Sequence, residues 1–94
     1  KYKKPNEQEI EALTNLNQRL AKIKNVKDPE EIQSEVYATG KKYDYIELKD
    51  WFSCLYQILL GQDQGPRMGS FIAIYGCKEM IELINKAIKG ELVN

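Results

Sequence analysis

Residues 51–76 read WFSCLYQILLGQDQGPRMGSFIAIYG, and the punctuation inside this stretch decides the fold. It holds the only tryptophan, both phenylalanines, two of the six tyrosines and four of the six glycines. From about Ile46, the apolar residues Leu48, Trp51, Phe52, Leu55, Tyr56, Leu59 and Leu60 recur at alternating spacings of three and one. That pattern gives a helix with a wide apolar face, expected to be the most buried of the chain. Gly61 stops it, and Gln62, Asp63 and Gln64 form a polar turn. Gly65 then suits an N-cap and Pro66 a first helical position. Met68, Phe71, Ile72 and Tyr75 lie on one face of the helix that follows, which Gly76 closes. Gly69 falls inside that helix, where glycine costs about 1 kcal/mol relative to alanine. A close backbone approach or a ligand contact accounts for such a residue.

Upstream, Asn6 caps a helix whose first turns carry Glu7, Glu9 and Glu11, matching the helix dipole. Ile10, Leu13, Leu16, Leu20 and Ile23 form one apolar stripe, consistent with about 18 helical residues. Asp28, Pro29, Glu30 and Glu31 start a second helix with a capping aspartate, a proline at the first position and acids behind it. Ile32, Val36 and Tyr37 give its buried stripe, and Gly40 is expected to end it. Lys41, Lys42, Tyr43, Asp44 and Tyr45 form a polar, aromatic connector. Downstream of Gly76, residues 78–89 form a closing helix that Gly90 ends. The expected architecture is all-α, a small bundle of about five helices forming one domain over residues 1–94.

Composition agrees. Hydrophobic residues make up 43% of the 94 and charged residues 30%, a globular balance. No apolar run approaches the roughly 18 residues that span a bilayer, and residues 1–9, KYKKPNEQE, contain no signal-peptide core. The chain begins at lysine, and we expect a piece of a larger protein. Cys54 and Cys77 form no C-x-x-C pair, and there is no histidine, so a zinc site lacks ligands. Buried free thiols in a reducing, cytoplasmic setting are the expectation. Missing histidine also removes Ser-His and Cys-His nucleophile arrangements. No phosphate-binding glycine loop occurs. The acids fall on helix positions expected to face solvent.

The net charge is zero but uneven. Residues 1–27 carry seven basic and three acidic residues, residues 28–50 three and seven, and residues 51–94 four of each. A duplex reader needs exposed Arg, Lys, Asn or Gln at the start of a recognition helix. The closing helix offers Lys78 beside Glu79 and Glu82, which phosphates would repel, so DNA is not an expected partner. The turn 61–67 differs. Arg67 beside the free N–H groups of a helix start suits a phosphate or a base edge. The plain alternative is that Gly65 and Pro66 build a turn while Arg67 pairs with Asp63 or another nearby acid. Exposed tyrosines of this connector can stack on unpaired bases, with Lys41 and Lys42 beside Tyr43, or the tyrosines simply half-pack at the domain edge. Trp51 is a weaker candidate contact, because its place on the apolar face favours the core.

The run 51–76 resembles the C-terminal end of class I lysyl-tRNA synthetases, the form related to glutamyl-tRNA synthetases. The preceding EEIQSEVYATGKKYDYIELKDWF carries a similar "IQ..VY..GK" pattern. The resemblance covers residues 28–76 well and the ends loosely. It matches at Gly61, Gln62, Gly65, Pro66, Arg67, Gly69, Phe71 and Gly76. It implies a parent enzyme that joins lysine to its tRNA with ATP, in which this region is a helical-cage, anticodon-binding domain. The HIGH and KMSKS signatures of the catalytic domain do not occur here, so no catalysis and no cofactor are expected of residues 1–94 themselves. Expected partners are the tRNA anticodon region and the rest of the synthetase, with no membrane. Expected RNA contacts are Arg67, Lys41, Lys42, Tyr43 and Trp51, while Gly61, Gly65, Pro66, Gly69 and Gly76 form the structural motif. The alternatives are a helical protein-interaction module, a piece that buttresses neighbouring domains, and the equivalent domain of a glutamyl-tRNA synthetase.

Overall fold

The computed structural model describes residues 1–45 and 47–93. Among them are five α-helices and no strand: α1 (Glu7–Leu20), α2 (Pro29–Lys42), α3 (Leu48–Leu55), α4 (Met68–Tyr75) and α5 (Cys77–Ile88). The all-helical expectation holds. The third helix was expected to begin near Ile46, which lies outside the described residues.

α1 starts on a full capping box. The Asn6 side chain accepts from Glu9 N–H at 2.8 Å, and the Glu9 carboxylate accepts from Asn6 N–H at 2.9 Å. This reciprocal pair satisfies two donors left open by the first turn. The helix ends at Leu20, short of the expected length. Ile23 still packs on the core from the following turn. α2 starts as read, with Asp28 accepting from Glu30 N–H at 2.9 Å and Pro29 in the first helical position.

Gly40 does not end α2; the helix runs two residues further, to Lys42. The glycine is there to admit Trp51. A Cβ built on Gly40 would lie 2.6 Å from Trp51 Cδ1. Trp51 is fully buried, and its indole N–H donates to the Val36 carbonyl at 2.8 Å. A close approach, rather than a left-handed turn, explains this glycine.

α3 continues into a π-helical turn, Tyr56–Leu60. Gly61 terminates it with φ +68°, a conformation that strains other residues. Tyr56, the first residue of this turn, lies against the loop that follows. The Tyr56 hydroxyl donates to the Pro66 carbonyl at 2.6 Å, and a Cβ on Gly65 would stand 2.8 Å from the Tyr56 ring. Held against this ring, Gly65 and Pro66 stay outside the helix, and α4 begins at Met68 with Arg67 as its N-cap. The expected start at Gly65 and Pro66 was two residues early.

α4 packs most extensively against α2. Gly69 sits at their contact, where an added Cβ would meet the Pro29 carbonyl and lie 2.8 Å from Gln33 Cβ. Gly76, at φ +110°, is the single residue between α4 and α5. α5 packs on α1 across the bundle. Trp51, Leu13, Leu16, Ile58, Ile72, Met80 and Ile84 share the central core.

Candidate nucleic-acid interface

The structure separates the predicted contacts into two places. Arg67 is exposed, and its guanidinium pairs with Glu30 Oε1 at 3.0 Å, at the N-terminal end of α2. An acid partner was foreseen, although it comes from α2 rather than from Asp63. Lys41 and Lys42 stand at the other end of α2, about 16 Å away at 1.5 Å per helical residue. The helix-start donors do not all face outward either. Gly69 N–H is buried and donates to Gln33 Oε1 at 2.6 Å.

Tyr43 caps α2, half-buried, with Lys42 Nζ 5.9 Å from its ring centroid. Its carbonyl accepts from Gln8 Nε2 at 3.0 Å. A cation already lies over the ring, and the backbone is tied to α1. Trp51 is removed from the interface: at 0% exposure it has no face to offer a base.

A groove lies where α2, α3 and the loop before α4 meet. Its 650 Å³ are lined by Tyr37 from α2, Lys49 and Phe52 from α3, Tyr56 from the π-turn, and Asp63 and Gln64 from the loop, among others. Tyr37 and Phe52 form an edge-to-face pair with centroids 5.3 Å apart and planes at 77°. A smaller hollow shares Tyr37 and Leu48 with the groove and is also lined by Lys41. Sequence reading passed over Tyr37, Phe52 and Tyr56 as core. One signal was available. Phe52 and Tyr56 widen the apolar face beyond what Trp51 and Leu55 need to reach the core, so part of that face turns outward.

Glu9 corrects the expectation that the acids face solvent, since it is buried. Lys3 Nζ donates to Glu9 Oε2 at 2.7 Å, and Cys54 Sγ donates to the same oxygen at 3.2 Å. Tyr45 hydroxyl in turn lies 3.9 Å from Cys54 Sγ. Burial pulls the Glu9 carboxyl upward, but the bonds from Lys3, Asn6 N–H and Cys54 outweigh it and hold it below its usual value. Burial, reinforced by Glu9, pushes the Cys54 thiol up to about 12. Burial likewise raises Cys77. Both thiols are therefore protonated near neutral pH, unlike nucleophilic cysteines. Among the described residues no group of His, Cys, Asp or Glu is placed to hold a metal ion. No described helix is long and apolar enough to cross a membrane.

The fold and groove define a small helical module with an aromatic, mixed-charge cleft. Comparison with known proteins gives the relationship. The chain is homologous to a segment of lysine–tRNA ligases. It is 43% identical over 93 residues to the lysine–tRNA ligase of Roseobacter denitrificans, covering 99% of this chain and 18% of that protein. It is 42% identical over 91 residues to that of Rickettsia rickettsii, with 97% and 17% covered. For Rickettsia felis the figures are 42% over 83 residues, 88% and 16%. The chain thus spans less than a fifth of the length of these relatives. No family model matches the chain, and no solved structure matches it.

Proposed function

We propose that residues 1–94 are the C-terminal, anticodon-binding region of a class I lysine–tRNA ligase. The complete protein would use ATP to join lysine to its tRNA in the cytoplasm, with this region supplying recognition and the chemistry lying elsewhere in the protein. Homology along nearly the whole chain carries the reading. The exposed Arg67 at the end of the 61–67 loop supports it, because a guanidinium meets phosphate or a base edge by paired hydrogen bonds. Unpaired anticodon bases are open to stacking and edge contacts in a way that duplex bases are not.

The test is tRNA binding and lysine charging by the complete protein carrying Arg67→Ala. Weaker binding with a shallower salt dependence is the expected result. Unchanged affinity and charging rate would take Arg67 out of the site, and no binding of lysine tRNA by the unaltered protein at low salt would remove the reading itself.

A second reading, packing against other parts of the same protein, has one observation in its favour. Ile74 is 87% exposed, next to the stacked Phe71–Tyr75 pair at 5.2 Å. If that face is covered in the complete protein, Ile74→Gln lowers its thermal midpoint. An unaltered midpoint counts against it.

A further inference from the structure

The aromatic groove presents ring surface to solvent while Phe52 and Tyr56 also pack on the core. Tyr37 is 40% exposed although it is held edge-to-face against Phe52. The Tyr56 hydroxyl fixes the groove's end to the Pro66 carbonyl, which sets the loop that carries Asp63 and Gln64 along its wall. The rings are thus preorganised, and a ligand laid on them orders few side chains.

The polar lining narrows the choice of ligand. Lys49, Asp50 and Asp63 line the groove, and Lys41 lines the adjoining hollow, so cations and carboxylates balance. A phosphate backbone gains nothing from lying beside two carboxylates. A neutral aromatic ring bearing hydrogen-bond donors and acceptors gains from both features, because the rings stack on it while carboxylate and amide groups meet its edge. An apolar helix from a protein partner would instead strand Asp50, Asp63 and Lys49 without water.

We propose that this groove receives an unpaired base of a tRNA strand, stacked on the Tyr37 ring that Phe52 holds edge-to-face, with its edge toward Gln64 and Asp63. The proposal rests on the tRNA-binding reading and adds the place where a base would enter. It divides the labour: Arg67 contributes the salt-sensitive part of binding, and the groove contributes a salt-insensitive part.

The experiment is a two-by-two titration with the complete protein, unaltered or Tyr37→Ala. The probes are the anticodon stem–loop of lysine tRNA and the same stem–loop with abasic anticodon positions. Base stacking on an aromatic residue predicts that Tyr37→Ala raises Kd about 5- to 150-fold on the native loop. On the abasic loop the effect should be small, and Tyr37→Phe should bind as the unaltered protein does. The slope of log Kd against log salt should be the same with and without Tyr37. Equal effects of Tyr37→Ala on both loops, or no effect on either, overturn the groove. Failure of the unaltered protein to bind the native loop overturns the tRNA reading beneath it. A lowered thermal midpoint of the complete Tyr37→Ala protein with unchanged Kd assigns the groove to domain packing instead.

Discussion

The backbone N–H of Gly69 donates a 2.6 Å hydrogen bond to Oε1 of the buried Gln33, thirty-six residues earlier, and so pins the start of α4 onto the face of α2. The pair explains why a glycine lies inside a helix and why a glutamine lies inside the core. Helix propensity alone would make Gly69→Ala favourable by about 1 kcal/mol. The new methyl would run into the Pro29 carbonyl and the Gln33 side chain, and backbone cannot swing aside as a flexible side chain can. Overpacking of this kind costs about 1–3 kcal/mol or more, so Gly69→Ala should be destabilising in urea unfolding despite its propensity. Gln33→Leu should cost about 1–3 kcal/mol through the stranded Gly69 donor. A stabilised Gly69→Ala protein would show that the α2–α4 contact gives way easily.

Gly40 and Trp51 form a second close contact, between α2 and α3. A methyl at position 40 would press on Trp51 Cδ1 at 2.6 Å and on Leu48 Cδ2 at 3.1 Å. The indole is held in place by its bond to the Val36 carbonyl, so it cannot yield without losing that partner. Gly40→Ala should cost about 1–3 kcal/mol and shift tryptophan emission, since Trp51 is the only tryptophan. Intact stability with unchanged emission would contradict the packing described.

These two glycines show which parts of the fold sequence could reach. Signals that are complete within one turn were readable: the Asn6–Glu9 capping box, the Asp28–Pro29 start and the stop at Gly61. The errors came where a distant partner overrides the local signal. Gly40 resembles a helix end until Trp51 is set against it. Gly65 and Pro66 resemble a helix start until Tyr56 holds them out. Glu9 resembles a solvated acid until Lys3 and Cys54 close over it. For the candidate site, Arg67 and its acid partner were legible as types. The groove was not, because Tyr37, Phe52 and Gln64 meet only through the packing of α2, α3 and the loop.

The Glu9 cluster makes stability fall at both ends of the pH range. Glu9 is held below its ordinary 4.5 in the folded chain. Its contribution is therefore present above about pH 4.5 and is lost as pH falls through the lower folded value. Cys54 is raised from 9.0 to about 12, so its contribution is present below pH 9 and is lost as pH rises from 9 toward 12. Lys3, raised above 10.5 chiefly by its bond to Glu9, adds to the alkaline loss. Glu9→Gln should cost about 2 kcal/mol near pH 7 through weaker bonds to Lys3 and Asn6 N–H. That cost should shrink toward pH 3 in urea titrations. A pH-independent difference between the two proteins would mean that Glu9 does not titrate as described.

The Arg67–Glu30 pair lets the proposed recognition role of Arg67 be tested apart from folding. Its side chains are 46% and 76% exposed, so solvent screens the attraction, and such pairs contribute about 0–1 kcal/mol. Arg67→Ala should therefore leave the thermal midpoint within a few degrees of the unaltered value. Any loss of RNA affinity in that variant then reports the missing guanidinium. Glu30→Gln should act in the opposite direction, because it frees Arg67 and removes a negative charge from the place where a phosphate would dock. At low salt, Glu30→Gln is expected to lower the Kd for lysine tRNA by about twofold or more, an effect that fades as salt screens the charge. If Glu30→Gln weakens binding instead, the ion pair itself holds Arg67 in its binding geometry, and the two residues act as one unit.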